Sequence, residues 1–84
     1  MAKLIKVDGT IEEVLPDNGR SFSLGELYRH TGSELVEILP LGGVCLVVDE
    51  EGMLKGRRLN GFCTNALGHP IVGDVLACEL GELD

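Results

Sequence analysis

Three of the seven basic residues of the chain fall within four positions, at Lys55, Arg57 and Arg58. This segment leads directly into Asn60, a residue type that is favoured at helix N-caps. Basic side chains beside the free amides of a helix start are the components of a small anion or phosphate site, and Gly56 lets the backbone approach a ligand closely. The sequence therefore predicts a ligand-binding site formed by Lys55, Gly56, Arg57, Arg58 and Asn60.

The same basic residues have a second interpretation, because carboxylates occupy Asp49, Glu50 and Glu51 in the preceding turn. Surface charge pairs are common in proteins, so the bases would then only neutralise these acids. The three carboxylates lack the alternating oxygen ligands and the distal glutamate of a calcium loop, and they indicate a solvated hairpin turn. Both interpretations of the basic segment stay open at this point.

Cysteine, histidine and hydroxyl side chains show no catalytic or metal-binding spacing. Cys45, Cys63 and Cys78 include no C-x-x-C pair, and we expect them to pack in the core as buried thiols. His30 and His69 lack neighbouring ligands and are assigned to a cap or to solvent. No serine or threonine belongs to a nucleophile motif. We therefore predict a non-enzymatic protein with no catalytic residues, metal ligands or cofactors.

The net charge and the hydropathy of the chain indicate which classes of partner it does not bind and in which cellular compartment it lies. The 14 acidic and seven basic residues give a net charge of −7, which repels polyphosphate backbones, so we expect no general nucleic-acid binding. Apolar runs are far shorter than the roughly 20 residues needed to cross a bilayer, and the start of the chain has no signal pattern. Three unpaired cysteines do not form a secreted disulfide framework. These features predict a cytoplasmic protein that does not bind membranes.

Turn formers and helix caps divide the chain into short elements. Asp8-Gly9 is suited to the positive φ angles of a tight hairpin. Ser23 and Glu26 have the spacing of a capping box, and Asn60 can cap a second helix. Aliphatic runs between these signals are typical of strands. The predicted elements are strands at Lys3–Val7, Thr10–Leu15, Glu34–Leu39, Val44–Asp49 and Ile71–Glu79, and helices at about Leu24–Thr31 and Gly61–Leu67.

The order of these elements predicts one α+β domain over residues 1–84, with a small, mostly antiparallel sheet of four to five strands and two short helices on one face. Pro40-Leu41-Gly42-Gly43 is expected to form the turn between the third and fourth strands. Gly73-Asp74 is expected to form a bulge or close approach in the last strand. The core of an 84-residue chain is small, and bare sheet edges would remain, so we expect a homo-oligomer.

Several segments together resemble a family of small phage-, plasmid- and bacterium-encoded proteins classed as a domain of unknown function. The resemblance covers nearly the whole chain and is most specific over Glu50–Asn60 and Gly68–Val75. Arg57-Arg58 departs from the family pattern, in which we expect less charge. The resemblance implies a mobile-element context and supplies no catalytic residues. The segments that carry it are Ile5–Gly9, Val47–Gly52, Leu54–Gly56, Leu59-Asn60 and Pro70–Leu76.

The residues and the resemblance together favour a non-enzymatic, phage-encoded binding protein. It would sequester a phosphate-bearing small molecule, such as a nucleotide immune signal, in the host cytoplasm and so act as an anti-defence sponge. The alternative is an acidic inhibitor that binds a host protein, in which Asp49–Glu51 and the negative surface meet a basic partner. An uncharacterised hydrolase is the third hypothesis.

Overall fold

The computed structural model describes residues 2–83. Five strands form one antiparallel sheet: β1 (Ala2–Ile5), β2 (Ile11–Val14), β3 (Val36–Leu41), β4 (Val44–Asp49) and β5 (Val75–Cys78), in the spatial order β2-β1-β5-β4-β3. The predicted α+β class and antiparallel sheet are therefore confirmed. No helix of these residues has the length and hydropathy needed to span a bilayer. The helices are α1 (Leu24–Thr31), between β2 and β3, and α2 (Gly61–Leu67), between β4 and β5, and a 3-10 turn follows at Leu80–Glu82.

The two helices lie on opposite faces of the sheet, which corrects the expectation of both helices on one face. Val47 of β4 belongs to the core cluster that contains Leu27 of α1. Its neighbour Leu46 belongs to the cluster that contains Cys63 of α2. Successive strand residues point to opposite faces, so the two clusters lie on either side of the sheet. Because β4 is apolar on both faces, each face needs a helix to cover it.

Both helices have the predicted bounds because their caps are local. The Ser23 hydroxyl accepts from the Glu26 amide at 3.2 Å, and the Glu26 carboxylate accepts from the Ser23 amide at 3.0 Å, which completes the capping box. Gly32 ends α1 in the left-handed region, with a φ of 68°. Asn60 begins α2 by accepting a hydrogen bond from the Cys63 amide. The sequence predicts these helix ends because each cap forms between residues that are close together in the chain.

Among the strands, only β4 has its predicted bounds; β1, β2, β3 and β5 each differ at both ends, and the differences in β3 and β5 are the most informative. β3 continues through Pro40 and Leu41, so only Gly42 and Gly43 form the turn to β4; the φ of Gly42 is 62°, as a tight hairpin with glycine at its first central position requires. β5 begins at Val75 rather than at Ile71. The backbone leaves the sheet before this point because Gly73 adopts a φ of 80°.

Candidate functional site

The buried carboxylate of Asp49, at the end of β4, accepts hydrogen bonds from two of the three basic residues in the predicted site. The Asp49 side chain is inaccessible to solvent, and its Oδ2 accepts from Arg57 Nε at 2.6 Å and from Lys55 Nζ at 3.1 Å. Its Oδ1 accepts from the Glu51 amide at 2.9 Å. We call Asp49, Lys55 and Arg57 the Asp49 cluster. The charge-pair interpretation therefore describes Lys55 and Arg57, with Asp49 as their partner.

The Asp49 cluster keeps its carboxylate ionised. Burial raises the pKa of Asp49, but hydrogen bonds from the Glu51 amide, Arg57 and Lys55 outweigh burial and hold the pKa below its usual value. Within residues 2–83 the carboxylates of Glu50 and Glu51 join no ion pair with the basic segment. Asp49 alone thus accounts for the pairing of two cations.

Arg57 also connects the cluster to two other segments. Its Nη2 donates to the carbonyl of Gly32, which ends α1. Its aliphatic stem crosses Gly73, where an added Cβ would lie 3.0 Å from Arg57 Cδ. The guanidinium therefore connects the end of α1 to the end of β4, and the stem packs against the segment before β5.

Asn60, the predicted ligand residue at the start of α2, is completely buried. Its Nδ2 donates to the carbonyls of Ile5 at 2.9 Å and Gly73 at 3.0 Å, while its Oδ1 accepts from the Cys63 amide at 3.2 Å. These contacts use both amide donors of the side chain, so Asn60 ties β1, α2 and the segment before β5 together.

Lys55, Gly56 and Arg58 are the exposed members of the predicted site, and the Lys55 ammonium group pairs with Asp49. The Arg58 side chain has no hydrogen bond or ion pair to any other residue in the described range 2–83. Gly56 has a φ of 68°, and its Cβ position faces open space. The structure thus separates the five predicted residues into three whose side chains form hydrogen bonds within the fold, Lys55, Arg57 and Asn60, and two exposed residues, Gly56 and Arg58, for which no such bond is seen within residues 2–83. Ligand binding at this segment stays a prediction.

A groove of about 240 Å³ lies beside β3, on the face covered by α2. Leu39, Val48 and Ile71 give it an apolar floor, and the exposed carboxylates of Glu37 and Glu50 stand on its sides. We call it the acidic groove; its lining is Glu37, Leu39, Val48, Asp49, Glu50, Met53 and residues 69–72.

Sequence reasoning included Glu50 in an acidic turn but missed Glu37 and Met53. Glu37 is the one charged residue of β3, whose sequence is otherwise apolar, and this isolated charge was an available signal. Met53 lines the groove and is 69% exposed, although methionine is a common core residue. A groove built from β3, the turn after β4 and residues 69–72 joins segments that are distant in sequence, so no spacing rule detects it.

The groups considered for catalysis do not come together. His69 lines the acidic groove, whereas His30 packs edge-on against Phe22 on the α1 side, with ring centroids 6.0 Å apart. All three cysteines are free and buried, as expected for core thiols. Burial raises the pKa of Cys63 and of Cys78 to about 11, which keeps both thiols protonated. Among residues 2–83, no three metal-ligating side chains cluster.

Comparison with known proteins adds no relative from which a role could be transferred. No family model, curated protein or solved structure matches this chain. The functional argument therefore depends on the geometry and charge of the surface.

Proposed function

We propose that this chain is a non-enzymatic cytoplasmic protein that binds a cationic segment of a partner protein in the acidic groove. The observation that supports the proposal is the pair of exposed carboxylates, Glu37 and Glu50, beside an apolar floor. Lysine and arginine combine an apolar stem with a cationic head, so they fit a groove of this composition. The net charge of −7 also attracts a basic partner at long range.

In the part of the chain that the structure describes, neither Glu37 nor Glu50 forms an ion pair with a basic residue, so both carboxylates can accept hydrogen bonds from a ligand. A charge-assisted hydrogen bond to either carboxylate contributes about 1.5–3 kcal/mol. Inhibition of a host factor, in a mobile-element context, is the biological role that this binding would serve.

Selection of displayed random peptides on the immobilised protein tests the proposal. We expect enrichment of peptides with several lysines or arginines. The double variant Glu37→Gln and Glu50→Gln should weaken the best peptide at least about tenfold, the loss of one charge-assisted hydrogen bond. The control Glu12→Gln and Glu13→Gln makes the same change in net charge on β2, at the other edge of the sheet. Equal losses in both variants, or enrichment of acidic peptides, would contradict the proposal.

A second candidate function is sequestration of a phosphate-bearing small molecule, such as a nucleotide immune signal, by the segment from Lys55 to Asn60. It is favoured by the exposed Arg58 guanidinium, which lies two residues from Gly56 and its open backbone. Because Lys55 and Arg57 are engaged by Asp49, Arg58 would supply the main charge to the ligand.

Titration calorimetry with mononucleotides and cyclic dinucleotides tests this second candidate. If the segment binds phosphate, Arg58→Ala should weaken the tightest nucleotide about tenfold, and Glu37→Gln should have no effect or a slightly favourable one. Nucleotide binding that survives Arg58→Ala unchanged would exclude the segment as the site. Both variants alter exposed side chains, so the comparison needs only circular dichroism as a folding control.

A further inference from the structure

β3 is an edge strand of the sheet, and its register shows which backbone groups are open. The Glu50 amide donates to the Leu35 carbonyl at 2.9 Å, one position before Val36 pairs with Asp49. Residues of an antiparallel pair alternate between those that bond across the ladder and those that point away from it. The odd-numbered residues of β3 therefore bond to β4. The even-numbered residues, Val36, Ile38 and Pro40, direct their backbone groups to the outside.

Pro40 agrees with this assignment. Proline has no amide to donate, so a strand accepts it where the amide would point away from the ladder. Pro40 has the parity of the outward positions. The open edge consequently offers the amides of Val36 and Ile38 as donors and the carbonyls of all three outward residues as acceptors.

The opposite edge of the sheet is more strongly protected than β3, which carries one charged residue, Glu37, and one outward proline, Pro40, over six residues. β2 has four residues with Glu12 and Glu13 at its centre, and charged residues on a short strand discourage further pairing. β3 has six residues, and Ile38 at its middle is 45% exposed. Long apolar edges are templates for an additional strand.

The acidic groove lies at this open edge. Glu37 and Leu39 of β3 line it, and they share a face because they are two positions apart. A strand added beside β3 would place alternate side chains next to Glu37 and over the groove, and the others beside Ile38 on the opposite face. One edge thus presents an acidic side and an apolar side to an extended chain.

We propose that the partner segment binds as a sixth strand on β3, with lysine or arginine at alternate positions facing the acidic groove and apolar residues between them facing Ile38. The inference rests on the proposed function for its basic residues and adds the conformation and the sequence period of the partner. Charge selects this occupant over a second copy of the chain, since two copies with a net charge of −7 each would bring two acidic grooves into one sheet.

The best basic peptide from the display selection provides the probe. It is synthesised in two forms, with N-methyl groups on either the odd-numbered or the even-numbered amides. In a bound strand one set of amides faces β3 and the other faces solvent. The form methylated on the amides that face β3 loses more than one ladder hydrogen bond, so we expect its affinity to fall at least about tenfold. The affinity of the other form should stay within about threefold of that of the unmethylated peptide. Enriched sequences should alternate basic and apolar residues.

The variant Ile38→Pro supplies the protein-side test, because it removes an outward amide at the same parity as the native Pro40. It should weaken the peptide about tenfold, the effect of one lost backbone donor and one lost apolar contact. Equal binding by both methylated forms would overturn the sixth strand, and would leave the proposed function intact if Glu37→Gln with Glu50→Gln still reduced affinity.

A different result would contradict the proposed function and leave the sixth strand intact. Suppose that methylation and Ile38→Pro weaken binding, whereas Glu37→Gln with Glu50→Gln does not. The sixth strand on β3 would then stand, and the proposal of a cationic partner would be wrong. Failure to enrich any peptide would overturn both. Sedimentation of the free protein as a dimer that Ile38→Pro dissociates would assign the edge to a second copy and contradict the inference.

Discussion

The Asp49 cluster and the open edge of β3 both collect polar groups near the end of the same hairpin, but they differ in how those groups are satisfied. Asp49 is inaccessible, and each of its oxygens accepts a hydrogen bond from within the chain. Glu37, on β3, is exposed, and within residues 2–83 no strand lies beside the outward backbone of Ile38. The comparison teaches that a concentration of charge in sequence indicates a binding surface only if the fold leaves it unpaired.

The largest expected effect comes from the satisfied region. Asp49→Ala removes three hydrogen bonds and leaves the cations of Lys55 and Arg57 without their buried partner. We expect the free energy of unfolding to fall by about 3 kcal/mol, measured by urea denaturation. Glu50→Gln, one residue along and exposed, should change it by less than about 0.5 kcal/mol. Similar values for the two variants would show that the Asp49 cluster is not structural.

The same carboxylate predicts a pH dependence. The pKa of Asp49 is lower in the folded chain than in the unfolded chain, where it is about 3.9. Its contribution to stability is therefore complete above the unfolded value and is lost as the pH falls through the folded value. Denaturation of the parent and of Asp49→Asn between pH 2 and pH 6 should give stability curves that converge at the acid end. Curves that stay parallel would contradict the assigned pKa.

Proline scanning of β3 tests the parity of the open edge, with a smaller expected effect. Glu37→Pro removes an amide that points to β4 and should cost about 1–3 kcal/mol of stability, whereas Ile38→Pro removes an outward amide and should cost less. Chemical denaturation of the two variants measures the difference. If Ile38→Pro is the more damaging change, the outward and inward residues of β3 have been exchanged in our assignment.

The smallest expected effect distinguishes two adjacent arginines. Arg57→Ala loses the contacts with Asp49 and with the Gly32 carbonyl and should reduce the free energy of unfolding by about 1–2 kcal/mol. Arg58→Ala should stay within about 0.5 kcal/mol, as is usual for an exposed side chain. Thermal and urea denaturation of the pair provides the measurement. Equal destabilisation would mean that Arg58 also has a structural partner.

The sequence predicted those features that depend on neighbouring residues. The capping box of Ser23 and Glu26, the start of α2 at Asn60 and the first hairpin all follow from contacts within a few positions. The pairing of Arg57 with Gly32 and the opposite placement of the helices depend on how distant elements pack. The continuous apolar run of β4 indicates apolar residues on both faces, but it does not assign a helix to each face.

The candidate site was harder to predict for the same reason. The sequence indicated that the basic segment could pair with Asp49, Glu50 and Glu51, but the choice of Asp49 as the partner of Lys55 and Arg57 depends on a turn conformation set by tertiary contacts. Proline at position 40 looked like a strand terminator because proline interrupts ladders in general. At an outward position on an edge strand it interrupts nothing, and β3 continues to Leu41.

Amide hydrogen exchange resolved at individual residues tests the central claim most directly. In the free protein, the amides of Glu37 and Leu39 should be protected by β4, while those of Val36 and Ile38 exchange rapidly because they point outward. Addition of the selected basic peptide should protect Val36 and Ile38 selectively. Binding that leaves these two amides exchanging as fast as before would contradict the sixth strand on β3.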